Sequence, residues 1–228
     1  MSNFFLTVCC EQFTQASVAT LGAVQGQLRR RSVPMLFGQV RKDYARHGRS
    51  LANAAFVSLA VYRYGKWAIA LRNRPSRWVA CKVYGVCNFF VANTTKVWIP
   101  PQVTIGEDFH VIHAEGSLSI HPDVVLGDRV GVMHNVTIGT NMGPGAPVIG
   151  DDVFIGVNST VLGRIQVGDR VRIAANTAVT TDVPSDSIVV GSPARIYPRL
   201  GPFVGPGGCS AIVVSLVGLL QSLLTSLA

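Results

Sequence analysis

Between residues 149 and 179 an aliphatic side chain recurs at every sixth position: Ile149, Ile155, Val161, Val167, Ile173 and Val179. The same spacing runs upstream in two other phases, Ile120, Leu126, Val132 and Ile138, and before them Ile99, Ile105 and Val111. A fixed short period is the signature of a repeat architecture, and a period of six indicates a parallel β-helix. Three hexads then make one triangular coil of about 18 residues, whose aliphatic residues point inward and stack on those of the next coil. Gly150, Gly156 and Gly168 directly follow three of these positions. Their expected role is to permit the tight corner. An ordinary β-sandwich is excluded, because its strands recur every 8–12 residues or so.

The period slips twice. Val111 to Ile120 is nine residues and Ile138 to Ile149 is eleven. The second slip implies about five extra residues in the stretch 140–147, with Gly143, Pro144 and Gly145. Insertions in a solenoid form surface loops, often on the functional face.

The first 96 residues have another texture. Apolar residues at three- and four-residue spacing predict helices over 39–45, 51–64, 66–71 and 78–92. Pro34, Gly48 and Arg72-Asn73-Arg74-Pro75 read as breaks. The expected layout is a helical region over 1–96, the β-helix over 97–197 and an apolar tail over 198–228. Residues 1–100 hold 14 Lys and Arg against 2 Asp and Glu, a net of +12; residues 101–228 hold 6 against 10, a net of −4. Basic residues interleaved with apolar runs such as 54–60 and 67–71 suit an anionic phospholipid surface better than nucleic acid.

Cys9, Cys10, Cys81, Cys87 and Cys209 fit no zinc or redox spacing, and one is left over from any pairing. Free thiols in a reducing cytoplasm follow. The N-terminus lacks a basic region ahead of its apolar stretch, and Glu11 interrupts it, unlike a secretory signal. Residues 209–228 are uncharged and rich in Leu and Val, long enough for a marginal membrane span. Their Ser, Gln and Thr leave open a helix packed on the protein or lying on a bilayer.

Ile105-Gly106, Val111-Ile112-His113-Ala114-Glu115-Gly116 and Met133-His134-Asn135-Val136-Thr137-Ile138-Gly139 resemble the serine acetyltransferase branch of the hexapeptide-repeat transferases. So do Asp151-Asp152-Val153-Phe154-Ile155-Gly156, Asp182-Val183-Pro184 and Gly191-Ser192-Pro193-Ala194-Arg195. Val61-Tyr62-Arg63-Tyr64 is weakly similar to colanic acid O-acetyltransferase relatives. The resemblance implies a mainly β fold, a left-handed parallel β-helix preceded by helices, assembled as a homotrimer. Acetyl-CoA would lie between neighbouring subunits, and acetyl would pass directly to an acceptor hydroxyl. It places His113 in the slot of the general base, a task suited to imidazole near neutral pH. His134 would contact the acceptor or orient His113, or would be a structural hydrogen-bonding residue. Backbone N–H groups around Gly139 and Thr140 are candidate oxyanion donors. The pantetheine arm would pass Val157 and Ala175, and Arg195 would meet a CoA phosphate. No metal site is expected: His110 and His121 do not converge in β-structure, and no Cys or carboxylate cluster accompanies them. Asp151 and Asp152 read as turn residues.

The sequence departs from that branch where the acceptor binds. Trp98-Ile99-Pro100-Pro101 stands where an Asp-Ile-His-Pro segment is expected, Ile112 replaces an Asp, and Gly145-Ala146-Pro147 replaces an Arg-His-Pro. Glu115 is a candidate replacement for the lost carboxylate. Without the bidentate partner for an amino-acid carboxylate, a sugar of a cell-surface polysaccharide is the expected acceptor, handled at the inner membrane face. L-serine is the alternative, and a non-catalytic scaffold the third reading.

Overall fold

A computed structural model describes residues 36–112 and 116–199. His113, Ala114 and Glu115 therefore lie outside the described residues, as do Cys9, Cys10, Cys209 and the apolar stretch 209–228. The chain divides into two compact units, Met1–Ile196 and Tyr197–Ala228.

Three helices come first. Helix α1 spans Leu36–Arg46, α2 Ala54–Ala70 and α3 Arg74–Thr95. Helix α2 starts where Asn53 accepts the backbone N–H of Ala55 and Phe56 on its side-chain oxygen, a capping role that short polar side chains fill well. It continues through Gly65, where a break between two helices is expected from sequence. Glycine serves there for packing: an added Cβ would lie 2.5 Å from the Tyr84 ring of α3. The expected break after α2 falls at 71–73, and Arg74 and Pro75 already form the first turn of α3, where proline loses no hydrogen bond.

The remaining strands wind into a parallel β-helix of hexapeptide repeats with three flat faces. Face A stacks β1 (Val97–Trp98), β4 (Leu118–Ile120), β7 (Val136–Gly139), β10 (Thr160–Leu162) and β13 (Ala178–Val179). Face B stacks β2 (Thr104–Ile105), β5 (Val125–Leu126), β8 (Val148–Ile149) and β11 (Gln166–Val167). Face C stacks β3 (His110–Val111), β6 (Gly131–Val132), β9 (Phe154–Ile155), β12 (Arg172–Ile173) and β14 (Ser187–Val190). All the six-spaced aliphatic residues are buried, and Ile120, Val132, Ile149, Ile155, Val161, Ile173 and Val179 are fully so.

The registers locate both slips. Strand partners are 18 residues apart in the regular coils, as for Leu118 and Val136 or Thr160 and Ala178. The separation is 21 wherever the intervening chain includes 113–115, as for His110 and Gly131. It is 23 wherever it includes 140–147, as for Gly131 and Phe154. The three-residue excursion leaves the edge between faces C and A; the five-residue one leaves the edge between faces A and B.

The glycines at the edge between faces B and C are required for a reason other than the expected one. Gly106, Gly127, Gly150 and Gly168 do not adopt positive φ; that conformation falls two residues later, on Asp108, Arg129, Asp152 and Arg170. What excludes a side chain is the next coil. A Cβ on Gly106, Gly127 or Gly150 would lie 2.3 Å from the carboxylate oxygen of Asp128, Asp151 or Asp169. Those carboxylates accept the backbone N–H of Glu107, Asp128 and Asp151 at 2.8–2.9 Å, forming a ladder up the edge. Beside it, Arg129 grips Asp152 and Arg170 grips Asp186 through paired hydrogen bonds.

The helices close the first coil, whose edge strands would otherwise leave backbone groups unpaired. The Tyr62 hydroxyl and the Lys66 ammonium both donate to the Val103 carbonyl, at 2.8 and 2.9 Å. Arg63 reaches the Gly106 carbonyl at 3.5 Å and pairs with buried Asp43 at 3.0 Å. His47 donates from Nδ1 to the Asp43 carbonyl and accepts the Val111 N–H on Nε2. These partners fix its tautomer, since a carbonyl can only accept and an N–H only donate.

Candidate active site

The edge between faces C and A brings together His134, Val157 and Ala175 of the residues singled out from sequence. Successive turns there hold 112 and 116–117, 133–135, 156–159 and 174–177, so that the flanks of His113, then His134, Val157 and Ala175, follow one another coil by coil.

Both flanks of His113 are anchored to the coil that carries His134. On one side the Ile112 N–H donates to the Val132 carbonyl at 2.8 Å. On the other the Ser117 N–H donates to the Asn135 side-chain oxygen at 3.0 Å. Gly116 fits between only because it has no side chain: a Cβ would lie 2.5 Å from that Asn135 oxygen and 2.9 Å from the His134 Cβ. Asn135 holds φ at +56°, a conformation its short polar side chain tolerates.

His134 is half-buried, and its Nδ1 is buried without a hydrogen-bond partner among the described residues. A buried polar nitrogen left unpaired costs about 1–3 kcal/mol, so one in this position is a group awaiting a partner.

Further along, the edge is lined with small side chains. A Cβ on Gly156 would meet the Ala175 nitrogen at 2.7 Å. Ser159 donates to the Ala174 carbonyl, and the Gly191 N–H donates to the Thr177 hydroxyl. Beside them Val157 is half-exposed and Ala175 exposed, next to exposed Asn158 and Asn176.

Gly139 and Thr140 do not join this edge. They close β7 at the far side of face A, five or six residues from His134, which is about 17–20 Å at strand rise. The buried Gly139 carbonyl accepts the Gly163 N–H, and its neighbour across the coil is His121. Arg195 is exposed at the start of β15 (Arg195–Pro198). His110 and His121 lie on different faces; the His110 ring stacks edge-on against His47 at 5.1 Å. Among the described residues no three His, Cys, Asp or Glu side chains group to hold a metal. Asp151 and Asp152 belong to the structural ladder.

Sequence reasoning missed two features beside these. His47 holds the N–H of Val111, two residues before His113, and so ties the helical cap to the strand leading into the first excursion. The second excursion rests on Arg164: Gly145, with φ at +103°, comes so close that an added Cβ would lie 2.9 Å from the Arg164 side chain. Neither pair is near in sequence, so neither leaves a local motif.

A family model, Bacterial transferase hexapeptide (six repeats), matches residues 146–181. The serine acetyltransferase of Mycobacterium tuberculosis is 38% identical over 122 residues, 52% of this chain and 52% of that protein. The solenoid is built of hexapeptide repeats and is similar to those of serine acetyltransferases. Soybean serine acetyltransferase in complex with serine matches it with a TM-score of 0.61 at 26% identity, over 72% of this chain and 70% of that one. Another serine acetyltransferase, in complex with CoA, shares the fold at a TM-score of 0.56 and 24% identity, over 72% of this chain and 70% of that one. The chain spans about half the length of the curated relatives it matches. Among the described residues no helix is long and apolar enough to cross a membrane.

Proposed function

We propose that this chain is an acetyl-CoA-dependent O-acetyltransferase with its active site on the edge between faces C and A. The observation that carries the reading is the alignment on that edge of the two anchored flanks of His113, the unpartnered Nδ1 of His134, and Val157 and Ala175 in the next two coils. The pantetheine arm of acetyl-CoA runs along this edge past Val157 and Ala175, and Arg195 is the cation offered to a CoA phosphate. His113 takes the proton of the acceptor hydroxyl as its oxygen attacks the thioester carbonyl. Collapse of the tetrahedral intermediate breaks the C–S bond, and the proton passes to the departing sulfur. His134 orients His113 or the acceptor. Because Gly139 and Thr140 stand across face A, they serve as oxyanion donors only to a site shared with a second chain. That favours a homotrimer with sites between subunits.

L-serine is the first acceptor to test, since the relatives are serine acetyltransferases; this reverses the preference for a sugar drawn from the second excursion. The missing Arg-His-Pro of that excursion has a candidate substitute in Arg164, which is exposed, packs against Gly145 and has no ion pair among the described residues. A glycan acceptor is the second reading, favoured by the absence of any cation within 140–147.

Thiol release from acetyl-CoA tests both. Release with L-serine, abolished in His113→Ala and shifted to higher KM in Arg164→Ala, supports the first acceptor. Release only with sugars or lipid-linked sugars supports the second. No transfer to either set, or full activity in His113→Ala, refutes the assignment.

A further inference from the structure

Helix α3 buries one side and, among the described residues, leaves the other apolar side uncovered. Ala80 and Tyr84 face inward, with the Tyr84 ring against Gly65 of α2. At 100° per residue, Trp78, Val79, Val83, Val86, Phe89 and Phe90 fill an arc of about 140° on the opposite side. Each is between 46 and 62% exposed. Only Lys82 and Asn93 interrupt the arc, and the Lys82 ammonium stands 5.6 Å over the Trp78 ring. A helix apolar on all sides is normally covered on all sides.

The charge around this face selects what covers it. From residue 44 to residue 106 the chain has nine Lys and Arg and no Asp or Glu. Arg72, Arg74, Arg77, Lys82 and Lys96, on or next to α3, are all exposed. A second copy would bring the same uncompensated positive charge against itself. A nucleic acid would gain little from an arc of Val and Phe. Trp and Phe ringed by Arg and Lys match the interfacial helices that lie in the headgroup layer of anionic membranes.

We propose that the outward face of α3 docks flat on an anionic phospholipid bilayer, Trp78 and Phe90 entering the acyl boundary and Arg74, Lys82 and Lys96 meeting lipid phosphates. The full-length protein is sedimented with vesicles of phosphatidylcholine alone or mixed with phosphatidylglycerol, at low and high salt. It pellets with the anionic vesicles at low salt only. Each exposed cation near the surface changes partitioning about fivefold, so the triple variant Arg74→Gln, Lys82→Gln, Lys96→Gln binds about a hundredfold less. Trp78, kept as the sole tryptophan by Trp67→Phe and Trp98→Phe, is quenched by brominated acyl chains. Phe90→Ser also weakens pelleting while leaving the circular dichroism melt unchanged. Equal pelleting with neutral vesicles, none with anionic ones, or no loss in the triple or Phe90→Ser variants overturns the proposal. So does a change of oligomeric mass on Phe90→Ser, which would assign the face to a second copy, or binding of duplex DNA in place of vesicles.

Discussion

Lys66 gives the cap of the β-helix a measurable pH signature. Its ammonium donates to the Val103 carbonyl and to the Tyr62 hydroxyl, but the site is buried and Arg63 lies nearby. Burial first, and the Arg63 charge second, bring its pKa down to about 8 from 10.5. Between these two values the unfolded chain holds the proton and the folded chain has released it. The unfolded state then binds more protons, so stability rises with pH across the window. The increment is complete above 10.5 and lost as the pH falls through 8. At about 1.4 kcal/mol for each tenfold change in proton affinity, the full effect is about 3 kcal/mol. Lys66→Met keeps the stem and removes the charge, and Tyr62 still satisfies Val103. Urea melts of both proteins from pH 7 to 10.5 or so, taken as wild type minus variant, should rise by about 3 kcal/mol. Burial raises the Tyr62 phenol, which makes stability fall above pH 10 or so, in both proteins alike. A flat difference would refute the reasoning: the Val103 carbonyl and local water would then be compensating the buried charge, and the cap would hold Lys66 protonated.

Asp43→Ala leaves Arg63 buried without its carboxylate and should cost about 3–5 kcal/mol by denaturant titration; Asp43→Leu with Arg63→Met should recover much of that loss. Gly150→Ala drives a methyl into the Asp169 carboxylate and breaks its bond to the Asp151 N–H, for a loss of about 1–3 kcal/mol, smaller when Asp169→Gly makes room. Ile155→Ala opens a cavity in a fully buried stack and should lower stability by about 2–5 kcal/mol. His47→Leu strands the Val111 N–H and should lower kcat more than it raises KM for acetyl-CoA, whereas a purely structural role would change the melt alone.

The solenoid was legible because its physics is local and repeated. A period of six with aliphatic residues in phase has few other solutions, and both slips fell where the registers change, at 113–115 and 140–147. The helical region was legible in type but not in extent, because Gly65 and Pro75 carry opposite meanings depending on context. Gly65 admits the Tyr84 ring in mid-helix, and Pro75 sits in a first turn where its missing N–H is harmless. The edge glycines were legible as necessary, but the reason came from the neighbouring coil, 20 or so residues away in sequence. An aspartate at the next corner forbids the Cβ, and the positive φ belongs to the residue after it.

The candidate site divides along the same line between local and distant. His134, Val157 and Ala175 fall together because equivalent corners of successive coils share an edge, so a motif read in sequence order is also read in space. Gly139 and Thr140 were read with them because they follow His134 closely, yet a flat face separates a corner from the next corner by one strand. Proximity in a β-helix follows the coil period and not the sequence interval: Asn135 touches Ser117, 18 residues back, while Gly139, four residues on, lies at another edge. Arg164 and the second excursion show the consequence for specificity. Losing an arginine from a loop need not remove positive charge from the site when a residue one coil above, at the same edge, can supply a guanidinium to the same surface. Arg164→Ala therefore separates a solenoid that has moved its acceptor clamp to the next coil, which loses affinity for serine, from one that has dispensed with it, which does not.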